Sequence, residues 1–230
     1  MSLDKNIRQE VRRTLGLPEK KGKLVQEAYV VEPKSYDLKT DFLSEKVKKA
    51  RLEAFDTNTQ ALNKISAQLD TASRDDASSI SSEFRYLKED EARCLNDSFL
   101  KARFFDNIDA PSTQLTMDSL AFMRLQRDFG GFDEWQRDFI ACAMSSRGGY
   151  VATVYNMLLK RYMNLVVDAG GCNIPVGVYP VIVLDVSEGA YYRDYVSDRK
   201  TYVVSMMKEL DWDVIEERFK LADRIAKVLS

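Results

Sequence analysis

The chain has 230 residues, with 45% hydrophobic, 30% charged and 10% aromatic residues and a net charge of -2. This is globular composition, without disordered or collagen-like bias, and long enough to bury a core. It contains no histidine, which excludes histidine-based catalytic centres, imidazole metal ligands and a histidine proton shuttle. The three cysteines, Cys94, Cys142 and Cys172, are widely spaced and odd in number. They form neither a zinc-finger pattern nor a disulfide framework, and read as small buried apolar residues in a reducing compartment.

Residues 1–35 read as an extended N-terminal arm, punctuated by Gly16, Pro18, Gly22 and Pro33, with Lys20, Lys21 and Lys23 making it locally basic. Such a segment cannot fold alone and suits a solvated tail or a strap around a partner. Its start, Met1 to Leu17, mixes Lys5, Arg8, Arg12 and Arg13 with Asp4 and Glu10, a poor secretory signal and a weak mitochondrial presequence. No apolar run approaches the ~18 residues of a membrane span.

From Asp41 the pattern is helical. Leu43, Val47, Ala50, Ala54, Asn58, Leu62, Ile65 and Leu69 recur at steps of three or four, with polar Asn58 on the apolar stripe. A Ser- and Asp-rich connector, Thr71 to Ser82, precedes a second helix with Phe84, Leu87, Leu95, Phe99 and Phe104 on its inner side. The pair predicts an antiparallel hairpin over 36–110, bounded by Ala110-Pro111-Ser112-Thr113. Residues 111–230 then read as an α+β unit. Helices run from about Met117 to Asp128, up to Gly130-Gly131, and from Phe132 to Met144. Strands are expected at Gly149–Met157, Tyr162–Val167 and Val181–Leu184, the last apolar throughout and so buried on both faces. The remainder is helical, with Asp213 and Glu216 as a capping box for a last helix ending near Leu229. The expected fold class is α+β: a long antiparallel helical hairpin followed by a domain with a roughly three-stranded antiparallel sheet.

Lys46, Lys48, Lys49 and Arg51 form a small basic cluster, readable as a phosphate or acidic-partner contact or as a solvated face balanced by Glu45 and Glu53. Gly148-Gly149 and Gly170-Gly171 lack the spacing of a phosphate-binding loop and read as turns.

Four blocks carry a resemblance: Asp128-Phe129-Gly130-Gly131-Phe132-Asp133-Glu134-Trp135; Gly148-Gly149-Tyr150; Leu184-Asp185-Val186-Ser187-Glu188-Gly189-Ala190-Tyr191-Tyr192; and Asp211-Trp212-Asp213. Their order and spacing resemble the iron/manganese superoxide dismutase family across about residues 36–220. The resemblance implies that family's fold, a helical hairpin plus an α+β domain.

In that family one metal is bound by three histidines and one aspartate. The resemblance places the aspartate on Asp185 and the histidines on Val47, Lys101 and Gly189. A tryptophan position falls on Ser187 and the gate tyrosine on Phe55, and the residue that bonds metal-bound solvent has no counterpart, although Ser146 lies nearby. Val and Gly donate nothing, and a lysine ammonium has no lone pair. No metal and no other cofactor is therefore expected. Lys101 is expected to pair with buried Asp185 and replace the cation. The resemblance also places Glu188 and Tyr192 at a dimer interface, with Arg51 at the position of a histidine that the tyrosine meets across it. This fits either a homodimer or a heterodimer with a histidine-bearing dismutase-like paralogue.

The resulting expectation is a pseudoenzyme: a structural subunit of a large assembly in the mitochondrial matrix. The mitochondrial ribosome's small subunit is the first candidate, with limited rRNA contact given the acidic balance. A matrix-side accessory subunit of a respiratory-chain complex is the alternative. A working dismutase is the third reading, against which the missing ligands count, and a standalone nucleic-acid-binding protein is disfavoured by the lack of a continuous basic face.

Overall fold

The computed structural model describes residues 29–110 and 114–228. Residues 1–28, which include most of the expected N-terminal arm, the boundary residues 111–113 and residues 229–230 lie outside the described residues.

Among the described residues, seven α-helices and three strands follow in chain order: α1 (Glu45–Thr71), α2 (Glu83–Ile108), α3 (Leu120–Phe129), α4 (Phe132–Ser145), β1 (Tyr150–Asn156), β2 (Arg161–Val167), β3 (Val178–Asp185), α5 (Glu188–Tyr195), α6 (Arg199–Lys208) and α7 (Trp212–Val228). The expected α+β class stands, with a helical N-terminal part and a three-stranded antiparallel sheet of order β2-β1-β3.

Local chemistry sets the helix starts. Ser44, Ser82 and Ser119 are N-caps in extended backbone, and their hydroxyls accept from the amides of Val47, Arg85 and Phe122. Helix α3 stops at Gly130, whose φ of +84° is a left-handed cap, with its N–H donating to Gln126 O. The last helix corrects the capping-box expectation. Its first-turn amides, those of Asp213 and Val214, donate to the Asp211 carboxylate at 3.1 and 3.2 Å. Glu216 instead reaches across to α3, where it accepts from the Leu120 and Ala121 amides at 3.0 and 2.8 Å.

Helices α1 and α2 pack antiparallel. Asn58, the polar residue on the α1 stripe, faces α2 and donates to Cys94 O at 3.0 Å and Ser98 Oγ at 2.6 Å. The inner face of α2 differs from the expected one. Leu95 and Phe99 are 43% and 44% exposed, while Leu87, Cys94, Leu100, Lys101, Phe104, Phe105 and Ile108 are buried. The sheet packs on the far end of α2, so its buried face there includes both Phe104 and Phe105.

Residues 29–38 lie along this hairpin. Val31 and Asn63 exchange hydrogen bonds at 2.7 and 3.0 Å. Lys34 pairs with Asp106 at 2.7 Å, and the Tyr36 ring packs on Phe55 and Phe105. The part of the arm that is described is therefore docked, against the expectation of a solvated tail.

Strand β1 is central and buried, and β3 is buried from Pro180 to Asp185. The β1–β3 register shifts between Thr153 and Val154, opposite Ile182 and Pro180, leaving Val181 as the extra residue. Pro180 has no N–H to give a ladder, so a bulge beside it costs no hydrogen bond. Gly149 leads into β1 because a Cβ there would lie 2.3 Å from Val167 O. Trp135 anchors α4 to the sheet: its indole N–H donates to Thr153 Oγ1 at 2.8 Å, and the Thr153 hydroxyl donates to Asn164 Oδ1 at 2.7 Å. No described helix is long and apolar enough to cross a membrane.

Candidate functional site

The site lies where the end of β3 meets α1, α2, α5 and α6. Asp185 closes β3 with its side chain 2% exposed, and sits opposite Tyr150 in the β1–β3 register. The following turn holds the carboxylate. Ser187 donates to Asp185 Oδ1 twice, from its amide at 2.9 Å and its hydroxyl at 2.6 Å. The backbone beneath is fixed by Val186 N–H donating to Gly149 O at 2.9 Å and by the Tyr202 hydroxyl donating to Asp185 O at 2.7 Å.

The cation on this carboxylate is Arg51, not Lys101. Arg51 Nη1 lies 3.6 Å from Asp185 Oδ2 and donates to Ser187 Oγ at 3.1 Å, with its side chain 13% exposed. Lys101 is buried too, but its ammonium pairs with Asp97 Oδ2 at 2.6 Å. The expected Lys101–Asp185 pair is thus corrected. Asp97 lies one helical turn before Lys101 on the same face and claims it first. The other Asp97 oxygen accepts from the Tyr150 hydroxyl at 2.6 Å. Two carboxylates and two cations form adjacent neutral pairs. Burial pushes the Tyr150 and Tyr202 hydroxyls well above the usual phenol range; the nearby Asp185 charge adds to this and Arg51 opposes it.

The remaining positions from the sequence fall as follows. Val47 is buried on α1, and Gly189 is in the first turn of α5. Both line an open pocket of about 350 Å³ together with Arg51, Glu188, Tyr192 and Arg193. Tyr192 is 58% exposed, whereas Tyr191 is buried and stacks on Tyr202. Phe55 joins the aromatic cluster of Tyr36 and Phe105. Ser146 serves its turn: its hydroxyl donates to Val167 O at 2.8 Å and accepts from Gly149 N. The basic cluster on α1 disperses, because Lys48 pairs with Glu45, Lys49 with Glu53, and Arg51 turns inward. Cys94 is buried, Cys142 half-buried and Cys172 exposed, so burial does not hold for all three cysteines. Asp97 was missed as a site residue, although its i,i+4 spacing to Lys101 was a usable signal.

Residues 118–218 match the family described as iron/manganese superoxide dismutases, C-terminal domain. These residues are thus similar to the C-terminal domain of that family. Among similar proteins, the manganese superoxide dismutase of Haloarcula marismortui is 30% identical over 122 residues, covering 53% of this chain and 59% of that protein. Manganese superoxide dismutase 1 of Halobacterium salinarum is 35% identical over 99 residues, 43% of this chain and 49% of that protein. The iron superoxide dismutase of Aquifex aeolicus is 29% identical over 159 residues, 69% of this chain and 74% of that protein. The chain thus spans about half to three-fifths of the length of the two archaeal dismutases.

These findings correct two expectations. The inactive structural subunit of a mitochondrial assembly, ribosomal or respiratory, has no support, since these relatives are named superoxide dismutases. The expectation that the chain is no enzyme falls with it, because the relatives' names are those of enzymes.

The family implies iron or manganese, and the donor set here does not fit either. Among the described residues no three His, Cys, Asp or Glu side chains are grouped to hold an ion, and the sequence has no histidine. The two carboxylates present, Asp97 and Asp185, each already face a buried cation.

Proposed function

We propose that this chain is a metal-site-less member of the superoxide dismutase family. One observation carries the reading: of the four positions at which the resemblance sets the family's ligands, only Asp185 offers an oxygen, and Arg51 and Ser187 already engage it. Val47 and Gly189 have no donor atom in their side chains, and the Lys101 ammonium has no lone pair to give.

Superoxide dismutation is the second reading, and the relatives' names favour it. It requires a redox centre on residues other than these four. One experiment separates the two: incubation of the purified full chain with iron or manganese, followed by metal analysis and a dismutation assay. The expected result is no stoichiometric metal. Stoichiometric metal with dismutation would refute the first reading and establish the second.

We also propose that the face carrying Glu188 and Tyr192 meets a dismutase-like partner, either a second copy or a histidine-bearing paralogue. The exposed Tyr192 ring and the adjoining open pocket support this.

A further inference from the structure

Residue 189 lies against the charged centre, and the structure gives that position a specific use. Gly189 lies inside α5 with no positive φ, so its backbone makes no demand for glycine. Alanine is the better helix former. Yet a Cβ on residue 189 would lie 2.6 Å from Arg51 Nη1, 3.3 Å from its Cζ and 3.4 Å from its Nη2. Nη1 is the nitrogen that bonds Ser187 and faces Asp185. The guanidinium, at the end of a long side chain, must shift to make room for a methyl group, and a shift away from residue 189 loosens its contacts with Ser187 and Asp185.

We infer that Arg51 is the resident cation of this centre, and that its place against Asp185 and Ser187 exists because residue 189 has no side chain. The inference rests on the metal-site-less reading and says what stands there instead. A carboxylate as buried as Asp185 needs an opposite charge nearby. Lys101, the other buried cation in the centre, is held by Asp97. That leaves Arg51, which reaches from α1 to the end of β3 and the start of α5, so the same contact clamps the hairpin to the sheet. Gly189 and Arg51 act as a pair: glycine gives the space, and arginine gives the charge. Nη1 serves both groups, donating to the Ser187 hydroxyl at 3.1 Å and lying 3.6 Å from the carboxylate.

The test is equilibrium unfolding of the full chain in a mutant cycle. Arg51→Ala should lower the folded-to-unfolded ratio about 100-fold or more, since it leaves a buried carboxylate unpaired. Asp185→Asn should lower it by a similar order, and the double variant should lose far less than the product of the two. Gly189→Ala should lower the ratio in the presence of Arg51. In the Arg51→Ala background the same substitution should be neutral or raise the ratio, reversing sign. Additive effects in the cycle, or a stabilised Gly189→Ala protein, overturn the inference. If Arg51→Ala does not fold, Gly189→Ala alone decides by its sign. Metal analysis of the wild-type preparation after incubation with manganese or iron keeps the two claims apart. Stoichiometric metal overturns the metal-site-less reading, whereas an absent coupling in metal-free protein overturns only the role given to Arg51.

Discussion

Glu216 offers a sharp test of how the helices are tied together. Its carboxylate, on α7, accepts from the first two amides of α3 at 3.0 and 2.8 Å. These belong to the donors that a helix start leaves without an intrahelical partner, and the positive end of the helix dipole adds to the attraction. The Ala121 amide belongs to a fully buried residue, so losing Glu216 takes away its hydrogen-bond partner in a largely desolvated place. That loss is worth about 2 kcal/mol for a charged acceptor. Leu120 is only half-buried, and its amide recovers most of its bond from solvent, adding about 0.5 kcal/mol. Glu216→Ala should therefore cost about 2–3 kcal/mol, and Glu216→Gln, which keeps one acceptor oxygen without the charge, about 1 kcal/mol. Urea unfolding reads this as a lower midpoint at unchanged slope. Hydrogen exchange should show the first turn of α3 opening before the rest. A Glu216→Ala loss below about 0.5 kcal/mol would refute the cross-helix cap and return Glu216 to a local role on its own helix.

Two other predictions concern the surface and the thiols. If the face around Glu188 forms a dimer, sedimentation should show self-association or pairing with a dismutase-like partner, and Glu188→Ala should raise the dissociation constant about tenfold, or 1.4 kcal/mol. Unchanged association would leave that side chain no role in the contact. Among the cysteines, exposed Cys172 should react with iodoacetamide first, and buried Cys94 and half-buried Cys142 slowly. Burial pushes the Cys142 thiol up to about 11, so its alkylation rate should keep rising towards that pH. The unfolded chain releases this proton near its ordinary value of 9 and the folded chain does not. The contribution to stability is thus complete below that value and falls as pH rises towards about 11. Cys142→Ala should flatten that part of the stability profile; alkylation of Cys142 as fast as Cys172 would refute its burial.

The α+β class, the antiparallel hairpin and the three strands were legible in the chain because each rests on local periodicity. An apolar stripe repeating every three or four residues and β-rich runs bounded by glycine turns need no knowledge of neighbours. The closeness of Asp185 and Gly189 was legible for a related reason, since both belong to one short contiguous block.

Phase and partnership were not legible. Leu95 and Phe99 fit a helical repeat as well as Leu100 and Phe105 do, and only the docking of the sheet on α2 decides which rows are covered. Glu216 has the spacing of a capping box for its own helix, but its carboxylate caps another helix that tertiary packing brings within 3.0 Å. The charge pairing at the centre follows the same logic. The sequence by itself determined that a buried Asp185 stands without histidines around it. Which cation answers it depended on the fold, because Lys101 had a carboxylate one turn away and Arg51 had a gap above Gly189. Local patterns decide elements because their energies are local. Pairing in a buried site is decided by distances between segments far apart in the chain, and those exist only once the chain has folded.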